Sequence, residues 1–251
     1  MIRRLRKIRA GIRQRWIHYL NDHHLEKLAG EIKKHSKIKS QKPVVFMGVS
    51  TRLQGMSLNA GFALLTKWSL QLQGVPVIQF VCDAGMDHCM LGSILNQPLD
   101  SPPCAVCIRQ SKRMYTHSNI VWFKNHPSAE IMHEINDLSL QQLSEYEYQN
   151  LPLGALVLPA IRWVLRCYHL PEDEVTKSLF RSYILAAENI ASQFSKLIAK
   201  EKPQKVVVFN GMAFPEATVR WVAQKHNIPV ITHEVGLQPY SAFFTYDQAT
   251  A

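Results

Sequence analysis

The sequence predicts an α/β fold: a doubly wound, mostly parallel sheet, preceded by a basic amphipathic N-terminal helix. Three observations carry this. Short apolar runs alternate with helical segments along the chain. Most of these runs empty into a loop bearing Gly, Ser, Asn, His or Glu, as buried parallel strands do. The charge is also segregated. The 251 residues hold 29 Lys+Arg and 19 Asp+Glu, a net charge of +10. Residues 1–42 contain 13 of the cations and three acids, Asp22, Glu26 and Glu31, whereas residues 43–251 hold 16 of each sign. A neutral body therefore carries a basic arm, and the chain divides into 1–42 and 43–251.

Taken in order, Ile2, Leu5, Ile8, Ile12, Trp16 and Tyr19 recur at spacings of three and four, which predicts a helix over 2–20. A second helical stretch covers Leu25 to Ile32, and a Lys/Ser-rich connector runs to Pro43. The first strand lies within 43–50 and the second within 75–81, with a helix over 56–73 between them. This is the length of one βαβ unit. Residues 82–115 are rich in Cys, Pro and Gly, and Asn119 to Phe123 reads as a third strand. Helices follow over 130–148, 156–169 and 172–200, the last opened by Pro171 and a cluster of acids suited to a helix N-terminus. A strand at 205–211, a helix at 215–226 and a last strand at 228–236 complete the pattern.

Composition removes several classes. With 47% apolar and 19% charged residues, the body has material for a core, so wholesale disorder is excluded. Five cysteines are too sparse for a disulfide scaffold. The longest apolar stretch, Leu151 to Ile161, is broken by Pro152, Gly154 and Pro159, which argues against a membrane-spanning helix. No apolar segment follows the basic N-terminus as in a secretory signal, and the first Ser or Thr is Ser36, unlike a Ser-rich transit peptide. The expected compartment is the cytoplasm. Nucleic acid is disfavoured as a partner, because the body is neutral and carries no aromatic–basic motif. The arm, with seven cations in residues 3–15 beside Trp16 and Tyr19, suits an anionic membrane surface, placing the chain on the inner face of the membrane.

Four loops at the strand ends could carry chemistry. In Gly48-Val-Ser-Thr-Arg-Leu-Gln-Gly55, the candidate binding residues are Gly48, Ser50, Arg52 and Gly55. The spacing fits neither a dinucleotide fingerprint nor a P-loop, leaving a looser anion site or a plain strand–helix turn. In Phe209 to Glu216, Asn210 and Gly211 make a tight turn, and Glu216 opens the next helix, to bind hydroxyls or to favour the helix dipole. In Thr232-His-Glu-Val-Gly236, His233 and Glu234 offer a base and an acceptor. Finally, Cys82, Cys89, Cys104 and Cys107 form C-x6-C-x14-C-x2-C, a partial match to a structural zinc site, with His88 and His117 as substitute ligands. Free thiols on an ordered loop are the alternative.

The stretches Cys82-Asp-Ala-Gly-Met-Asp-His-Cys89, Pro103 to Tyr115, Phe209-Asn-Gly211 with Glu216, and Thr232 to Gly236 resemble the N-terminal half of GT-B-like bacterial glycosyltransferases of capsular and surface polysaccharide biosynthesis. The resemblance spans residues 43–246. It implies a Rossmann-like domain on the acceptor side of a two-domain enzyme, whose nucleotide-sugar donor binds mainly to a C-terminal half absent from these 251 residues. It further implies a sugar or lipid-linked glycan acceptor and a catalytic base among Glu216, Glu234, His233 and Asp83. The alternative expectation is a non-catalytic metal-binding α/β interaction module.

Overall fold

A computed structural model describes residues 2–40, 42–48, 56–90 and 97–250, with the backbone alone for 2–10, 14 and 15. In chain order the elements are α1 (Ile2–His35), β1 (Val44–Gly48), α2 (Leu58–Leu72), β2 (Val77–Cys82), α3 (Cys104–Met114), β3 (Asn119–Phe123), α4 (Ala129–Glu134), α5 (Leu140–Glu145), α6 (Leu153–Leu165), α7 (Glu174–Glu201), β4 (Lys205–Phe209), α8 (Glu216–Lys225), β5 (Val230–Val235) and β6 (Ala242–Tyr246). The strands form one six-stranded sheet in the order β3-β2-β1-β4-β5-β6. The first five are mutually parallel, and β6 runs antiparallel to β5.

The sequence builds this sheet through side-chain alternation. In β1, Val44 and Phe46 point to one face, where they meet Val77 and Val207 beside Ala63 and Leu70 of α2. Val45 and Met47 point to the other, joining Ile78, Phe80, Val206 and Val208 in the main core. Both faces are covered, so β1 and β2 are buried at every position. The main core is closed by α6, α7 and α8. From α7 alone, Leu179, Phe180, Tyr183, Ile184, Ala187, Ile190 and Phe194 enter it. Asp173 caps this helix, its carboxylate accepting from Thr176 N at 2.8 Å.

Four features depart from the sequence expectation. The segment 130–148 is two short helices, because Asn136 and Asp137 end the first and a Ser139/Gln142 capping box starts the second. The cysteine-rich segment contains α3, opened by Cys104. The two helical stretches expected in the arm are one helix, α1. Its later half docks on the body: Ala29 is buried with Leu64, Trp68 and Met114, with Leu25 and Ile32 beside them, and Asp22 meets Arg113 at 2.6 Å. The sheet also has a sixth strand. β6 is held by the tail that follows it, where Asp247 Oδ1 accepts from Val230 N at 2.7 Å and Thr250 N donates to Asn210 O at 2.8 Å. Among the described residues no helix is long and apolar enough to cross a membrane.

Candidate functional site

From β1 the chain winds out to β2 and β3, and from β4 it winds the other way to β5 and β6. The crevice between β1 and β4, at the carboxyl ends of the strands, is the topological switch point at which open α/β sheets bind ligands. Residues 49–55, with Ser50, Arg52 and Gly55, leave β1 at this edge and lie outside the described residues. Gly48, the last residue of β1, is described. A Cβ there would sit 2.6 Å from the Tyr115 hydroxyl, so the absence of a side chain lets that ring close over the strand end.

On the β4–β5 side the structure brings together Asn210 and Glu234 and adds Asn59, which the sequence reading missed. Asn59 Nδ2, in the first turn of α2, donates to Glu234 Oε1 at 3.0 Å. Asn210 Nδ2 donates to Glu234 Oε2 at 3.4 Å. Val235 N donates to Oε1 at 2.9 Å. One carboxylate is thus gripped from α2, from the β4–α8 loop and from its own strand. Asn59 Oδ1, buried in the same place, has no hydrogen-bond partner among the described residues. The turn at Asn210 and Gly211 needs these two residue types. Their φ angles are +25° and +68°, a region that Asn and Gly enter most readily. Arg220 Nε then donates to Gly211 O at 3.0 Å and fixes the loop against α8.

Glu216 begins α8 and is 6% exposed. Burial raises its carboxyl to about 7, against a smaller opposing effect from its own backbone N–H. His233 is 4% exposed, with its ring near those of Phe209 and Phe244 and no partner for Nδ1 among the described residues. Burial lowers it to about 4, although the neighbouring Glu234 acts the other way, so it is neutral at physiological pH.

Asp83 and the cysteines belong to the opposite side of the crevice. β2 and β5 are separated by β1 and β4, which places their ends about 14 Å apart at the usual strand spacing. Asp83 is 4.0 Å from Lys124 Nζ and does not share the Glu234 site. The structural-zinc expectation is corrected: among the described residues no group of three or more His, Cys, Asp or Glu is arranged to hold a metal ion. Cys82, Cys89, Cys104 and Cys107 do not make a metal-ligand set there. Cys82 is buried, accepts from Gly85 N at 3.3 Å, and is pushed up to about 12 by burial. The metal-binding interaction module falls with that site. His88 is also engaged otherwise, within 2.8 Å of Ser182 Oγ and 3.0 Å of Leu99 O.

Two further residues escaped sequence reasoning. Lys67 of α2 is wholly buried, donates to Ser118 Oγ at 2.9 Å and sits 5.2 Å from the Tyr115 ring centroid. Burial lowers its ammonium to about 7. Its place in the helical pattern, one residue before Trp68, gave no sign of this. Asn59 did leave a signal, an amide just after the Ser57 cap of the helix that follows the switch-point loop.

No family model and no curated protein matches the chain. The solved structures similar to it include a deacetylase–teicoplanin complex from the teicoplanin biosynthesis pathway, at 15% identity and a TM-score of 0.37, covering 79% of this chain and 71% of that one. The zinc-inhibited form of teicoplanin deacetylase aligns at 14% identity and a TM-score of 0.36, covering 78% and 68%. The GT-B resemblance is corrected to this extent: no family model supports it, and the solved structures named here are deacetylases. Sugar transfer, the nucleotide-sugar donor and the capsular polysaccharide role are withdrawn with it. At these TM-scores the likeness carries no activity over to this chain.

Proposed function

We propose that this domain binds a small hydroxyl-bearing molecule, such as a monosaccharide or nucleoside, at the C-terminal edge of its sheet beside the β1/β4 switch point. The observation that carries the reading is the Glu234 carboxylate, held by Asn59 and Asn210 beside the buried Asn59 Oδ1, which has no partner among the described residues. Two acceptors side by side call for hydrogen-bond donors. Hydroxyl groups supply them, and O–H donors to a carboxylate make short, strong bonds. An unmet buried acceptor costs about 1–3 kcal/mol, which a ligand hydroxyl would recover. Anions do not fit, because Glu234 would repel them.

Saturation-transfer NMR with glucose, N-acetylglucosamine, ribose and adenosine tests this. At least one should receive magnetisation from the protein, and Glu234→Ala should abolish the transfer with folding intact by circular dichroism. Transfer to none of the four, or transfer unchanged in the variant, would sink the reading.

A further inference from the structure

The arm divides into two parts. From Asp22 onward α1 is tied to the body, through Arg113 and through Leu25, Ala29 and Ile32. Before that point its described side chains, His18 apart, are exposed. Ile12 is 62% exposed, Trp16 61% and Tyr19 59%, and Ile17 and Leu20 are also exposed. The rings of Trp16 and Tyr19 stack on each other at 5.8 Å. At 100° per residue, Ile12, Trp16, Tyr19 and Leu20 fall within an arc of about 100°. Arg13, also exposed, borders that arc. Residues 1–21 contain seven cations and no acid.

We propose that residues 12–20 of α1 form a docking surface for an anionic lipid bilayer. Large apolar side chains exposed on a polar helix need a partner that removes them from water. Charge selects among the candidates. A second copy of the chain would bring another acid-free segment carrying Arg13 and Arg15 to the contact and be repelled. An anionic headgroup layer attracts each cation, at about 1 kcal/mol per Lys or Arg. Trp and Tyr suit the boundary between headgroups and acyl chains, since each joins an apolar ring to a polar N–H or O–H. Arg13 can run its stem along that boundary and leave the guanidinium at the phosphates. The helix is then a surface anchor, lying in the interface without crossing it. The attachment at Asp22–Arg113 and Ala29 holds the body beside the bilayer.

Flotation of the full chain with vesicles tests this. The protein should rise with phosphatidylcholine–phosphatidylglycerol vesicles and stay below with phosphatidylcholine alone. The double substitution Trp16→Ser, Tyr19→Ser should weaken partitioning about tenfold, and Arg13→Gln about fivefold, the equivalent of about 1 kcal/mol. Both sites are exposed, so the circular dichroism spectrum and melting temperature should not change. Equal partitioning to neutral vesicles would overturn the proposal. So would unchanged binding by the double variant. Failure of the wild type to float, with either a dimer that the double variant dissolves or binding to duplex DNA instead, would assign the surface to another partner and overturn it equally.

Discussion

At the scale of single residues, burial has moved three titrating groups toward or away from neutrality, and each gives a signed expectation. Glu216 is raised from 4.5 to about 7, so the folded state holds its proton more tightly than the unfolded chain. Its carboxylic acid form is compatible with burial below pH 4.5, and stability is lost as pH rises to about 7. Glu216→Gln should therefore remove a downward slope in stability across that window, read by urea denaturation at several pH values. Lys67 is lowered from 10.5 to about 7, so the unfolded chain binds more protons between those values. Stability should rise with pH across that range as the buried ammonium loses its charge. Lys67→Met should be more stable at neutral pH by on the order of 2 kcal/mol, with the difference shrinking toward pH 10.5. A variant less stable at neutral pH would mean that the bond to Ser118 outweighs desolvation. His233 is lowered from 6.5 to about 4, and its contribution runs the same way as Lys67 at lower pH: stability recovers as pH rises from about 4 to 6.5.

At the scale of elements, contacts between helices and strand-end loops set the sharpest constraints. Gly154, in the first turn of α6, has Leu143 O and Ser144 O against the position a Cβ would take. Backbone carbonyls cannot move aside as a flexible side chain would. Gly154→Ala should force α5 and α6 apart and destabilise by roughly 1–3 kcal/mol, measured by chemical denaturation. Gly211 combines a φ of +68° with Thr232 Cγ2 and Arg220 Cδ 3.0 Å from a would-be Cβ. Gly211→Ala should distort the turn that carries Asn210 and weaken ligand binding along with stability. The Asn210–Glu234 pair was legible as two strand-end loops rich in polar groups. Their meeting at one carboxylate was not, because it depends on β4 and β5 being neighbours and on α2 crossing toward β5. The cysteines show the reverse. Four within 26 residues read as a zinc site, yet the fold gives them no metal-holding arrangement among the described residues: one is buried on a strand end and another opens a helix.

At the scale of the whole molecule, charge and packing are separable. Removing residues 1–17 deletes seven cations and no acid, leaving a net charge of +3. The described side chains lost, including Ile12 and Trp16, are exposed, while the buried attachment at Ala29 is retained. The truncated chain should elute much earlier from a cation exchanger. Its melting temperature should stay within about 2–4 °C of the parent, a change of no more than about 1 kcal/mol. A larger fall would show that the front of α1 packs on the body.

The sequence by itself determined the alternation of strands and helices, the parallel character of the sheet, the segregation of charge into the arm and the polar loops at the strand ends. These are local properties, written in the apolar period and in Gly, Pro and Asn. Strand order, the antiparallel β6, the union of Asn59 and Asn210 on Glu234, and the burial that tunes Glu216, Lys67 and His233 were decided only by tertiary structure. Each depends on residues far apart in the chain, and a pKa depends on how much water the fold excludes, which no spacing along the sequence encodes.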